Sequence, residues 1–116
     1  MNESLQVLRR LANVIDQRYR QRPPDSYTTL LFNSGPENIV AKFSEEAAEL
    51  VEAAREEKGP QGAGRAERVR DEAADVLFHL LVLLRDAQVP LDDVCQELVR
   101  REGQSGLTPP PPSDPS

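Results

Sequence analysis

The chain has 116 residues and a formal net charge of −6, and 38% of its residues are hydrophobic but only 4% aromatic. This length suits one domain with a modest core that a partner subunit would help to cover. The negative charge argues against a nucleic-acid polymer as a partner, because phosphate-backbone binding depends on clustered Lys and Arg. No apolar stretch approaches the roughly 20 residues that span a bilayer, so no membrane partner is expected. A single Cys and an N-terminus unlike a signal peptide predict a reducing, cytoplasmic location.

The first third of the chain predicts one long and one short helix. Apolar residues recur every three or four positions over 3–21, which is typical of an amphipathic helix, and a Pro pair then ends it. Ser26 is suited to cap a short helix that carries Tyr27 and Phe32. The turn signal at 33–35 ends this second helix.

Three further helices are predicted in the remainder. Pro36 suits the first turn of a long helix that reaches about Lys58, where GPQGAG interrupts it. The next helix begins near Arg65, and the last covers 91–101, where Cys95 lies at helical spacing with apolar neighbours and is expected in the core. No alternating β-pattern occurs. We therefore predict an all-α fold, an antiparallel bundle of about four to five helices that forms a dimer.

The chain is expected to divide after residue 102. Residues 1–102 contain all the predicted helices and would form the domain. Residues 103–116 read GQSGLTPPPPSDPS, which offers almost nothing to bury. A disordered Pro-rich tail is therefore expected there.

Two of the long helices share an acid–Ala–Ala–acid core. On the first, Glu46 and Glu49 flank an apolar stripe that runs from Ile39 to Ala54; on the second, Glu72 precedes a stretch, 73–84, that is apolar except for Asp75 and His79. That stretch predicts a helix buried nearly all round. If the two helices fold back as an antiparallel hairpin, a rise of 1.5 Å per residue places the four carboxylates at matching heights.

Four unpaired carboxylates in a half-buried groove would be costly, because like charges repel and desolvation adds to the penalty. A hard divalent cation removes that cost. Mg²⁺ takes oxygen ligands and commonly bridges protein carboxylates to substrate phosphates. The pattern therefore predicts a Mg²⁺ site, through which an acidic protein can bind an anionic nucleotide.

Two other interpretations apply to the acids. Pairing with basic residues on a solvated surface is favoured for four glutamates: Glu45, Glu52, Glu56 and Glu57. A ferritin-like di-iron site requires Glu-x-x-His, whereas His79 follows Asp75 by four residues. His79 is instead interpreted as a hydrogen-bonded core or interface histidine.

Three segments carry a family resemblance. The pattern EEAAE, then 22 residues, then EAAD resembles the Glu-x-x-Glu and Glu-x-x-Asp signature of the all-α nucleotide pyrophosphohydrolases, the MazG-like superfamily. Within it, DSYTTLLF, KFSEEAAE and DEAADVLFHLLVLL are most similar to the phosphoribosyl-ATP pyrophosphohydrolases of histidine biosynthesis. The resemblance covers about 5–101.

The resemblance implies Mg²⁺-dependent hydrolysis of phosphoribosyl-ATP to phosphoribosyl-AMP and pyrophosphate by a dimeric bundle. The implied metal ligands are Glu46, Glu49, Glu72 and Asp75. By the same resemblance Glu45 and Glu46 would be catalytic carboxylates, with the identity of the base left open. Lys42 would take part in catalysis and in substrate binding through contact with a substrate phosphate, and Tyr27 would bind substrate.

Departures from the family pattern leave alternatives open. Family members often carry Lys where this chain has Leu30 and Ser34, Gly at Ser44, and Tyr at Phe78. Loss of two phosphate-facing cations favours, as an alternative, a house-cleaning pyrophosphatase that acts on noncanonical nucleoside triphosphates. A non-enzymatic helical dimerisation module, in which the acids only solvate a bundle, is the alternative from another class.

Overall fold

The computed structural model describes residues 3–56 and 62–104. Five helices and no strand occur in these ranges: α1 (Glu3–Gln21), α2 (Tyr27–Asn33), α3 (Pro36–Arg55), α4 (Gly62–Asp86) and α5 (Leu91–Glu102). The prediction of an all-α fold is thereby confirmed. The expected end of the third helix near Lys58 lies outside the described residues, as does the predicted tail from residue 105 onward. No helix in the described ranges is long and apolar enough to cross a bilayer.

The turns around α2 follow from local chemistry. Ser26 has extended backbone angles, and its side-chain oxygen accepts a hydrogen bond from the Thr29 amide at 3.2 Å, as an N-cap residue does. Gly35, between α2 and α3, has φ +97°, which side chains with a Cβ rarely adopt. Pro36 then occupies the first turn of α3, where its missing N–H is no loss.

Helices α3 and α4 form the antiparallel hairpin that the sequence predicts. Near the turn, Arg65 donates a hydrogen bond to the Ala54 carbonyl, and Arg68 forms an ion pair with Glu56. Ala53 is completely buried between the helices, because a methyl group allows close approach. Farther from the turn, the same pairing brings the acidic segments of both helices side by side.

The core lies where α1, α2, α3 and α4 meet. Its buried members are Ile15, Leu31, Phe32, Ile39, Leu81 and Val82. Tyr19 packs edge-on against Phe32 with ring centroids 5.0 Å apart, and the Arg22 guanidinium lies over both rings. The Arg22 Nη1 donates to Asn33 Oδ1 at 2.6 Å, which ties the end of α1 to α2.

The structure corrects three expectations about burial. Helix α4 is not buried all round, because α1 and α3 cover only part of its surface and leave Asp75 and Leu77 exposed. On α3, Ala53 and not Ala54 faces the neighbouring helix. Cys95 is exposed and not in the core, because α5 reaches the core through Leu91 while its later residues face solvent.

Candidate metal and nucleotide site

A cluster of three carboxylates lies on the facing sides of α3 and α4. Glu46 comes from α3, and Glu72 and Asp75 come from α4, one turn apart. One oxygen from each side chain lies within 4.8 Å of the other two. The hairpin creates this cluster, because neither helix alone carries all three residues. We call these three residues the carboxylate cluster.

Glu72 lies in an electrostatically unfavourable position within the carboxylate cluster. Its pKa is raised above the ordinary glutamate value, first by desolvation and then by the negative charges of Glu49 and Asp75, with further contributions from a hydrogen bond with Glu49 and the charge of Glu46. Its Oε1 is shielded from solvent and has no hydrogen-bond partner. A buried carboxylate oxygen without a donor is unfavourable, so the geometry leaves Glu72 in need of a positive partner.

The protein supplies no such partner within 3–56 and 62–104. No Lys, Arg or His of these ranges forms a salt bridge with Glu46, Glu49, Glu72 or Asp75. Arg68, which shares a helix face with Glu72 in the sequence, pairs with Glu56 across the hairpin instead. Oxygen donors without a soft ligand fit a hard divalent cation such as Mg²⁺.

Glu49 stands slightly apart from the carboxylate cluster. Its charge acts on Glu72 more strongly than that of Asp75, which places it in the same neighbourhood. It is not one of the three residues whose oxygens converge within 4.8 Å. Of the four carboxylates expected at matching heights, the structure therefore brings three together and leaves the fourth adjacent.

A lysine lies at the edge of the carboxylate cluster. Lys42 Nζ is 3.2 Å from Glu45 Oε1, one turn along α3. The hydrogen bond to Glu45 and its charge raise the pKa of Lys42, with smaller contributions from Tyr27 and Glu46. Lys42 is therefore a cation close to Tyr27 of α2 and to Glu46 of the carboxylate cluster. The surface pairing expected for Glu45 is observed with Lys42, and that expected for Glu56 with Arg68.

Tyr27 meets α4 through two aromatic side chains. Its ring stacks on Phe78 with centroids 6.2 Å apart and an interplanar angle of 26°. Its hydroxyl lies 3.4 Å from Nε2 of His79, whose Nδ1 lies 2.9 Å from the Asp75 carbonyl oxygen. His79 is 7% exposed, in agreement with its interpretation as a hydrogen-bonded core histidine.

The sequence patterns do not predict the contact between Tyr27 and His79. The two residues are 52 positions apart, and helix periodicity carries no information on which side chains meet at that separation. The available hint was that both residues fall in the segments that carry the family resemblance. The structure shows that these segments, on α2 and α4, are neighbours in space.

Comparison with known proteins places the chain among relatives of one kind. The model of the family described as phosphoribosyl-ATP pyrophosphohydrolase matches residues 8–102. A phosphoribosyl-ATP pyrophosphatase of Rhodopirellula baltica is 48% identical over 107 residues, covering 92% of this chain and 86% of the relative. One of Pyrobaculum neutrophilum is 47% identical, covering 84% of this chain and 97% of the relative.

A longer relative is also similar. The histidine biosynthesis bifunctional protein of Bacillus subtilis is 40% identical over 98 residues, which cover 84% of this chain and 44% of that protein. The match is therefore to one part of a two-function protein. From these similarities, which extend over nearly all of the helical region, the chain belongs to the phosphoribosyl-ATP pyrophosphohydrolase family.

Proposed function

We propose that this protein hydrolyses phosphoribosyl-ATP to phosphoribosyl-AMP and pyrophosphate, a step of histidine biosynthesis. The observation that carries the proposal is the carboxylate cluster, whose three oxygens converge without a salt bridge to any cation of residues 3–56 and 62–104. Family membership supplies the substrate, since relatives at 47–48% identity bear the name phosphoribosyl-ATP pyrophosphatase. The pathway comes from the name of the bifunctional relative.

Glu46, Glu72 and Asp75 would hold Mg²⁺, with Glu49 adjacent to support them. The orphaned Oε1 of Glu72 and the oxygen-only donor set support this assignment. A Mg²⁺ ion in this position would neutralise phosphate oxygens of the nucleotide and make a nearby water more acidic. Asp75 is exposed, which leaves the cluster open to a substrate.

The remaining roles in substrate binding and proton transfer are proposed for Lys42, Tyr27 and the acids Glu45 and Glu46. Lys42 would bind a substrate phosphate through its ammonium group, and Tyr27 would contact the nucleotide from α2. During hydrolysis a water oxygen bonds to phosphorus, the α–β phosphoanhydride bond breaks, and pyrophosphate leaves. Either Glu45 or Glu46 would accept the water proton, since Glu46 belongs to the carboxylate cluster and Glu45 lies beside Lys42 on α3.

We also propose that the working form is a homodimer built on the domain of residues 1–102. One chain leaves several large apolar side chains exposed, among them Leu77 at 43%, Leu98 at 51% and Val99 at 63%. Apolar surface of this kind on α4 and α5 is suited to a second copy. Sedimentation at micromolar concentration should show two chains per particle, and a well-folded monomer would contradict this assembly.

Pyrophosphate release tests the catalytic proposal. The protein should be assayed with phosphoribosyl-ATP and with a panel of canonical and noncanonical nucleoside triphosphates, each with Mg²⁺ and with a chelator. We expect Mg²⁺-dependent release that is fastest from phosphoribosyl-ATP. Faster release from a noncanonical triphosphate would identify a house-cleaning enzyme, and no release from any nucleotide would favour a binding module.

A further inference from the structure

His79 has a defined proton arrangement. Its Nδ1 lies 2.9 Å from the Asp75 carbonyl oxygen, which can only accept a hydrogen bond, so Nδ1 must carry the hydrogen. Whenever the ring is neutral it carries this one N–H, and Nε2 then presents a lone pair. The partner of Nε2 is the Tyr27 hydroxyl, 3.4 Å away.

This arrangement determines whether the Tyr27 hydroxyl can donate or accept a further hydrogen bond. If His79 Nε2 accepts, the Tyr27 hydroxyl donates its one hydrogen to it, and the phenolic oxygen then offers only lone pairs to the surroundings. Phe78 supports the ring on one side, while Tyr27 remains 51% exposed. Phe78 and His79 thus contact one part of the Tyr27 side chain, and the rest of it is exposed to solvent.

The same contacts tie Tyr27 to the carboxylate cluster. The carbonyl that holds His79 belongs to Asp75, whose carboxylate is a member of the cluster. Tyr27 also lies close enough to Lys42 to contribute to the raised pKa of that lysine. A nucleotide whose phosphates lie at Lys42 and the cluster would therefore present its neighbouring sugar to Tyr27.

We propose that His79 is a positioning residue that makes the Tyr27 hydroxyl a hydrogen-bond acceptor for a hydroxyl group of the substrate sugar. Phosphate oxygens are acceptors and cannot pair with an oxygen whose hydrogen is already donated, whereas ribose hydroxyls can donate to it. Tyr27 would then bind a ribose hydroxyl and not a phosphate oxygen. The identity of the substrate in this inference rests on the proposed function, but the proton arrangement of His79 does not.

The first test needs no substrate. The chain contains a single His, so long-range proton–nitrogen correlation spectra of the ¹⁵N-labelled protein, recorded under conditions where the ring is neutral, report on His79 alone. We expect a protonated Nδ1 and an unprotonated Nε2. Tyr27→Phe should move the Nε2 resonance without changing the tautomer. A protonated Nε2, or an Nε2 resonance insensitive to Tyr27→Phe, would overturn the proposal.

The second test uses kinetics with phosphoribosyl-ATP. Tyr27→Phe should raise KM about 3- to 10-fold, the range of one neutral hydrogen bond, and leave kcat within about twofold. His79→Leu should do the same and add little in the Tyr27→Phe background. His79→Gln, whose amide oxygen can accept from Tyr27, should restore most of the affinity. Tyr19→Phe, the other tyrosine, serves as the matched control and should keep the wild-type KM.

These outcomes separate the two proposals. Additive effects of Tyr27→Phe and His79→Leu on KM, or no rescue by His79→Gln, would overturn the positioning role even in an active enzyme. An enzyme inactive on phosphoribosyl-ATP would contradict the proposed function, while the spectra would still decide the role of His79. If His79→Leu fails to fold, the comparison of wild type with His79→Gln and the spectra carry the decision.

Discussion

Glu72 on α4 and Glu97 on α5 are both helical glutamates, yet the structure moves their pKa values in opposite directions. Hydrogen bonds from Arg100 and Arg101, with N–O distances of 3.0 Å from each Nε, lower the pKa of Glu97 to about 2. Burial and three neighbouring acids raise the pKa of Glu72. Glu97 has protein cations beside it, whereas among the described residues the charged groups that act on Glu72 are carboxylates.

This difference separates a surface acid from a site acid. An exposed pair such as Glu97 with Arg100 contributes little to stability and has no need of an external ligand. A crowded acid such as Glu72 destabilises the folded chain unless something positive binds to it. A glutamate on a helix can therefore be a solvated surface acid or a site acid. The presence or absence of a neighbouring cation distinguishes the two cases.

Glu46→Gln gives the largest expected effect, because it removes one charge from the carboxylate cluster with little change of volume. Turnover of phosphoribosyl-ATP should fall about 100-fold or more, as when one preorganised electrostatic group is lost from an active site. Steady-state assays with Mg²⁺ measure it. Glu97→Gln is the matched control on α5 and should stay within about twofold of wild type. Near-normal turnover in Glu46→Gln would place the chemistry elsewhere.

Lys42→Met should weaken substrate binding by a smaller amount. A charge-assisted hydrogen bond to phosphate contributes on the order of 1.5–3 kcal/mol, so KM should rise about 10-fold or more. Arg10→Met, which removes a cation paired with Glu3 on exposed α1, is the control and should leave KM unchanged. An unchanged KM in Lys42→Met would mean that Lys42 serves only its pair with Glu45.

The smallest expected effects concern stability without metal, and they should have opposite signs. The raised pKa of Glu72 means that the folded state loses stability as pH rises above about 4.5. Glu72→Gln should therefore melt higher than wild type at pH 7, and the gain should fade as pH falls to about 4.5.

Glu97 behaves in the reverse sense. Its lowered pKa contributes stability above about 4.5, and that contribution is lost as pH falls toward about 2. Glu97→Gln should melt slightly lower than wild type at pH 7, with the difference shrinking in acid. Melting curves of both variants in chelator from pH 7 to pH 3 measure this. Equal signs for the two substitutions would remove the distinction between paired and crowded acids.

Helix positions and the meeting of the acids could be predicted because both depend on local geometry. Ser26 caps α2 through its own side chain, and Gly35 ends the turn because few other residues adopt its φ. The fixed rise of a helix places Glu46 beside Glu72 and Asp75 once the hairpin is recognised. These inferences need no knowledge of distant contacts.

Burial on the open faces could not be predicted in the same way. Hydrophobic spacing shows which side of a helix is apolar, but it does not show whether this chain or another covers that side. Leu77 and Cys95 were expected to be buried, and the single chain leaves both exposed. The contact of Tyr27 with His79 depends on how α2 packs against α4, which no local spacing specifies.

The central claim is that the carboxylate cluster binds a divalent cation, and paired melting curves of wild type and Asp75→Asn with and without Mg²⁺ test it most directly. Wild type should melt at a higher temperature with Mg²⁺, because a ligand that binds only the folded state stabilises it by mass action. Asp75→Asn should melt in chelator as high as wild type or higher, since a repulsive carboxylate is gone, and should gain nothing from Mg²⁺. A Mg²⁺ gain in Asp75→Asn equal to that of wild type would contradict the metal site and the mechanism built on it.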